Sequence, residues 1–113
     1  IYDWKWIRDY SGTASSLTST NDYDVSWYSA GIGGTASTFC NTEIYIPNYT
    51  SSNYKSISYD SVVEQNSTDC FIVLAAYLYR STNAITSLAF YGSANNYTLQ
   101  QYSTYTLYGI KNS

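Results

Sequence analysis

The chain has 113 residues and a mass of 12.7 kDa, which suffices for one domain and leaves little room for a second core. Hydrophobic residues make up 44% and charged residues only 12%, which excludes the charge-rich disordered class. The net charge of −3 and the pI near 4.4 exclude a cationic surface that could neutralise several phosphates, so no nucleic-acid partner is expected.

The chain contains no histidine, which is the commonest metal ligand and the side chain that titrates nearest neutrality. Ser-His-Asp triads, Cys-His nucleophile pairs and ordinary zinc sites are therefore excluded. Two cysteines are also too few for a four-thiolate cluster. The sequence accordingly predicts no catalytic residue, no metal site and no cofactor.

The longest apolar run covers residues 70–79, about ten residues, and suits a buried strand better than a membrane span. No membrane-spanning segment is predicted. The chain begins at Ile1 and contains no methionine, so we expect that either processing or a missing amino-terminal segment sets the first residue.

The 15 tyrosines and the abundant Ser, Thr and Asn favour β-structure, and stretches of strong helix formers are missing. Turn chemistry at Gly31, Pro47, Asn66 and Asn95 separates the runs of period two. In chain order, about eight strands are predicted over residues 2–10, 13–18, 23–28, 38–46, 54–64, 69–79, 85–91 and 104–110.

The side-chain pattern of these strands predicts a two-sheet β-sandwich as a single domain over residues 1–113. In strand 38–46, alternation puts Cys40, Thr42, Ile44 and Ile46 on the expected core face. Residues 71–76 are apolar on both faces, which is typical of a central strand covered by a second sheet or by a neighbouring subunit. Strand 104–110 also carries apolar atoms on two sides.

Three tryptophans are candidate contact residues: Trp4, Trp6 and Trp27. Trp4 and Trp6 are two residues apart and share one strand face, a geometry that suits stacking on a sugar ring. The alternative is that these rings belong to the core or to a subunit interface. The surplus of tyrosine favours contact, because tyrosine is enriched where proteins touch each other.

Cys40 and Cys70 each stand near the start of a predicted strand, on a face expected to be buried. If those strands are neighbours, the two thiols form a disulfide; otherwise both are small buried hydrophobes.

A pair of carboxylates could hydrolyse glycosides without histidine. Asp60 and Glu64 share one strand face but would lie about 13 Å apart, outside the roughly 5 to 9.5 Å that glycosidases use. A pair across strands, such as Asp9 with Asp24, has no feature in its favour. The sequence therefore predicts a protein that is not an enzyme.

Three segments carry a resemblance to a known group of proteins: residues 44–49 (Ile-Tyr-Ile-Pro-Asn-Tyr), 82–88 (Thr-Asn-Ala-Ile-Thr-Ser-Leu) and 107–111 (Leu-Tyr-Gly-Ile-Lys). From Thr38 onward the chain resembles small β-rich virion proteins of tailed bacteriophages, particularly marine and cyanobacterial ones. The closing Leu-Tyr-Gly-Ile after a Thr-x-Ala-Ile strand is the most specific element.

The resemblance implies a jelly-roll-like sandwich located in the virion, as a capsid decoration protein, a fibre module or another surface component. It carries over no site residue. The expected partners are further copies of the chain, in a trimer, and other virion proteins such as the major capsid protein. The alternative is a carbohydrate-binding module that recognises host surface glycans through exposed Trp or Tyr rings.

Overall fold

The computed structural model describes residues 1–10, 12–22, 37–64, 66, 71–90 and 101–110. Within these ranges the chain forms one antiparallel sheet and no helix, which confirms the all-β prediction. The strand order across the sheet is β2-β1-β5-β4-β3. The five strands are β1 (Tyr2–Tyr10), β2 (Thr13–Asp22), β3 (Cys40–Tyr45), β4 (Lys55–Val63) and β5 (Phe71–Tyr79).

The eight-strand, two-sheet arrangement is not found in the part of the chain that the structure describes. Residues 85–90 and 104–110, each expected to lie in a strand, are in no strand, and all of 104–110 is exposed. A strand needs a neighbour for its backbone N–H and C=O groups, and alternation along one segment does not reveal whether such a neighbour exists. The predicted strand at 23–28 lies outside the described residues.

Strand β5 is the central strand, as its apolar sequence predicts. It pairs with β1 on one side and with β4 on the other, so that Ala75 lies opposite both Trp6 and Tyr59. Alternate side chains of these three strands form the core on one face of the sheet. The buried core residues are Trp6, Ile57, Tyr59, Val73, Ala75 and Tyr77.

Aromatic rings dominate the core face because the tyrosines and tryptophans of β1, β4 and β5 fall at alternate positions. Tyr2 stacks on Tyr79 with ring centroids 4.9 Å apart, and Tyr59 meets Tyr77 edge to face at 6.4 Å. Such pairs add stabilisation beyond the apolar area that they bury.

A polar cluster of Asp3, Asn21 and Arg80 lies at one end of the sheet, where the register between β1 and β2 shifts. Asn21 adopts a left-handed backbone conformation with φ of 59° there, and its N–H donates to the Asp3 carboxylate at 3.0 Å. The Arg80 guanidinium, just after β5, lies 3.5 Å from that carboxylate and donates to the Asn21 side-chain oxygen. The cluster therefore links β2, β1 and the end of β5.

Lys55 is buried on the core face with only 1% of its surface exposed. Its ammonium donates to two backbone carbonyl oxygens, of Ser81 at 2.9 Å and of Asn83 at 2.6 Å. The positive charge is thereby solvated by the segment that follows β5, and that segment is held against the start of β4. The same alternation that buries Ile57 and Tyr59 also directs Lys55 and Ser61 inward.

We predict that Lys55→Met lowers the free energy of unfolding by about 1–3 kcal/mol, because two carbonyl oxygens lose their donor. Hydrogen exchange at residues 81–84 should become faster as well. Urea unfolding of dilute protein measures the first effect. The exposed Lys5→Met should change stability by less than about 0.5 kcal/mol, and equal losses in the two variants would contradict the anchoring role.

Candidate functional site

The face of the sheet opposite the core carries a continuous apolar surface, which we name the open face. A stripe of side chains along β5 forms its centre, with one apolar side chain added by β1 and one by β4. Leu74 is 59% exposed and Ile7 55%. The residues of the open face are Ile7, Val62, Ile72, Leu74, Ala76 and Leu78.

The open face follows directly from the sequence of β5. Because side chains of a strand alternate between faces, Val73, Ala75 and Tyr77 enter the core while their neighbours face the other way. A strand that covered only one core would carry polar residues at those positions. Leucine and isoleucine stand there instead.

Charged residues flank the apolar stripe on both sides. Lys5 lies on β1, level with Ala76 of β5. Asp60 lies on β4, level with Leu74, and Glu43 of β3 stands directly opposite Asp60. Asp3 and Asp9 lie on the same face of β1 as Lys5, level with Leu78 and Ile72. The β1 side of the stripe therefore carries both signs of charge, and the β4 side carries two adjacent carboxylates.

A broad depression of about 400 Å³ lies on this face. Strand β5 separates Lys5 from Asp60. Two strand spacings and an offset of two residues along the strands place their Cα atoms about 12 Å apart. The base of the depression is apolar and lies between the charged side chains of Lys5 and Asp60. This arrangement suits contact with another protein surface. The depression is lined by Lys5, Ile7, Ser58, Tyr59, Asp60, Leu74, Ala75 and Ala76.

Trp4 and Trp6 lie on the core face. Trp4 and Trp6 share a face as predicted, with parallel rings 6.2 Å apart. Trp6 is only 8% exposed, with the Arg8 guanidinium 4.9 Å from its ring centroid, so its ring is not open to a sugar. Trp4 is half-buried, and its indole N–H donates to Asp22 at 2.9 Å. Trp27 lies outside the described residues.

Cys40 carries a free and exposed thiol, so its predicted burial is wrong. It lies on the core face as expected, opposite Val63, but β3 is an edge strand that the core does not cover. Strand β4 separates β3 from β5, so the strands that follow the two cysteines are not neighbours. The disulfide was expected only if these strands were neighbours, and they are not. Cys70 itself is outside the described residues.

The carboxylates weighed for catalysis are spread over the sheet. Asp60 lies on the open face, whereas Glu64 follows the end of β4, and its N–H donates to the Phe39 carbonyl at 3.1 Å. Asp9 accepts a hydrogen bond from the Gly12 N–H at 2.9 Å, in the turn between β1 and β2. Asp24 is outside the described residues.

Sequence reasoning did not single out two charged residues beside the apolar stripe, Lys5 and Glu43. Alternation alone places Lys5 on the face opposite Trp4 and Trp6. Glu43 becomes adjacent to Asp60 only through the pairing of β3 with β4, and this register depends on the connection between those strands, which the pattern of either strand does not specify.

Comparison with known proteins gives no relative for this fold: no family model, no curated protein and no solved structure matches the chain. Among the described residues, no helix is long and apolar enough to cross a membrane. The same residues contain no group of three or more Cys, Asp or Glu side chains that could hold a metal ion.

The open face should contribute little to the stability of the isolated chain, and two adjacent valines test this. Val63→Ala removes buried methyl groups at a site that is 1% exposed and should cost about 2 kcal/mol in urea unfolding. Val62→Ala, on the open face at 50% exposure, should cost less than about 0.5 kcal/mol in dilute protein. Similar losses would show that both faces are packed.

Proposed function

We propose that the protein is a non-enzymatic structural component of a bacteriophage particle, located on the particle surface as a capsid decoration protein or a fibre module. It works by contact with other subunits. The observation that supports this role most strongly is the open face, where the central strand of the sheet presents Leu74, Ile72 and Leu78 to solvent.

Covering the open face with a partner stabilises the assembly, because apolar side chains leave water. Fully burying a Leu, Ile or Val side chain is worth about 1.5–3 kcal/mol, so covering the exposed half of each contributes about 1 kcal/mol. Contiguous apolar surface on a small domain marks interaction sites, because isolated folding does not require it. The five larger side chains of the open face are between 37% and 59% exposed.

The closing segment supplies a second uncovered apolar element. Leu107 is 86% exposed, Tyr108 81% and Ile110 74%. Residues 103–110 lie in no strand of the sheet, and an extended segment can add to the edge of a partner's sheet. Two uncovered apolar elements in one small chain favour a protein that completes its packing in an assembly.

The two-sheet, jelly-roll-like sandwich expected from the sequence is part of this proposal. The observed sheet supplies one layer, and a second layer lies against the open face in the working assembly. The phage origin, the virion location, the trimer and contact with the major capsid protein rest on the sequence resemblance. The glycan-binding alternative has less support, because the Trp6 ring lies in the core.

Incorporation into particles tests the role of the open face. Leu74→Asp should abolish incorporation or reduce it severalfold, because a carboxylate in the centre of an apolar contact loses its hydration. Quantitative mass spectrometry of purified particles gives the copy number. The matched control is Leu88→Asp, which changes a leucine of 48% exposure outside the open face and should leave incorporation unchanged.

A purified particle that lacks the wild-type chain would refute the virion role. Wild-type incorporation of a folded Leu74→Asp protein would refute the contact through the open face. Circular dichroism and urea unfolding of each variant establish that the sheet itself is intact.

A further inference from the structure

Two parts of the chain have no strand partner among the described residues: the outer edge of β2, and the closing segment, residues 103–110. We infer that the closing segment of one copy of the chain adds to the outer edge of β2 in a neighbouring copy and extends the sheet of that copy. This inference rests on the proposed function, in which the protein works by contact with other subunits. It adds the segment and the edge that join the copies of the trimer.

Strand β2 ends the sheet with an edge that has no protection against strand addition. Its residues 13–19 pair with β1 in an unbroken register and include no charged residue and no proline. Unpaired N–H and C=O groups along an edge are a template for another strand, and proteins normally protect such edges with charges, proline, bulges or short strands. The other edge strand, β3, is only six residues long and carries Glu43. The edge of β2 is therefore the better acceptor.

The closing segment has the properties of a strand without a sheet. All of its residues are exposed, and it forms no hydrogen bond with another described residue. None of its residues has a positive φ, and its Tyr, Thr, Leu and Ile residues favour strands. The ring of Tyr105 stacks on Phe90 with centroids 5.4 Å apart, which attaches the start of the segment to its own chain. The residues that follow Tyr105 are available to another copy.

The apolar side chains of the two elements select an antiparallel register. Leu17 lies opposite Trp6 and is the apolar residue on the core side of β2, where it is 49% exposed. An added strand with Leu107 beside Leu17 removes part of both side chains from water and extends the core past Trp6. Directly opposite residues share one face and have Cβ atoms about 4.5–5.5 Å apart. In this register Thr106 lies beside Thr18.

The partner is a second copy of the chain because each copy supplies one acceptor edge and one donor segment. The single chain does not pair its closing segment with its own β2. Donor and acceptor are different surfaces, so the contact is heterologous, and contacts of this kind close into a ring when the rotation between copies permits. A ring of three copies is the trimer of the proposed function. It leaves the open face uncovered for contact with other virion proteins.

Chemical cross-linking tests the pairing and its register. In a chain whose native cysteines are replaced by serine, Thr18→Cys combined with Thr106→Cys should be joined by a short bis-maleimide into covalent oligomers, because the two positions are neighbours on adjacent strands. The control combines Thr106→Cys with Asn41→Cys, an exposed position on β3. It lies five strand spacings, or about 24 Å, from the added strand and should not cross-link.

Proline in the closing segment tests the backbone hydrogen bonds. Neighbouring residues of a strand point their N–H groups in opposite directions, so Thr106→Pro combined with Leu107→Pro removes one donor that faces β2. We expect association to weaken about tenfold or more, measured by sedimentation equilibrium of the full chain. The matched control, Thr106→Val with Leu107→Ile, keeps both N–H groups and should associate like the wild type. Circular dichroism should show the sheet intact in both variants, since the closing segment is outside it.

The outcomes separate this inference from the proposed function. An oligomer in solution with the cross-link between copies supports the exchange, and a mass of three times 12.7 kDa identifies the ring as a trimer. A cross-link within one chain, a monomer at every concentration, or an oligomer that the proline variant leaves intact overturns the exchange. Protection of Leu74 in the particle would still support the contact role in that case. Conversely, a particle without the chain refutes the virion role and leaves a cross-linked oligomer of the pure protein as support for the exchange.

Discussion

Strand β5 carries apolar side chains on both of its faces, and the rest of the structure is arranged around this constraint. One set of alternate residues packs into the aromatic core with Trp6 and Tyr59. The other set has no cover among the described residues, although it lies in the middle of the sheet, where leaving it exposed costs most. Under the proposed function, this sheet is one layer of a two-layer packing that a partner completes in the assembly.

The sequence was informative about features that depend on local alternation. The central position of β5, the shared face of Trp4 and Trp6, the core side of β3 and the turn at Pro47 could all be predicted from period two and turn chemistry. Each of these features depends only on residues that are close together in the sequence, so it can be predicted without knowing which strands pair. The five described strands accordingly agree with their predicted positions to within a few residues.

Features that depend on which strands become neighbours were harder to predict from the sequence. Residues 85–90 and 104–110 have the alternation that predicts strands but have no partner in the described sheet. Cys40 lies on the expected face and is exposed, because burial depends on its strand being at the edge. The carboxylate pair of Glu43 and Asp60 likewise appears only through the register of β3 with β4.

The open face, on this proposal, is covered in the working assembly. Hydroxyl-radical footprinting of dilute chain and of purified particles, read at Leu74 and at its core neighbour Val73, tests it most directly. We predict that Leu74 reacts readily in the dilute chain and becomes protected several-fold in the particle, while Val73 reacts slowly in both. An unchanged rate at Leu74 in the particle would contradict the account.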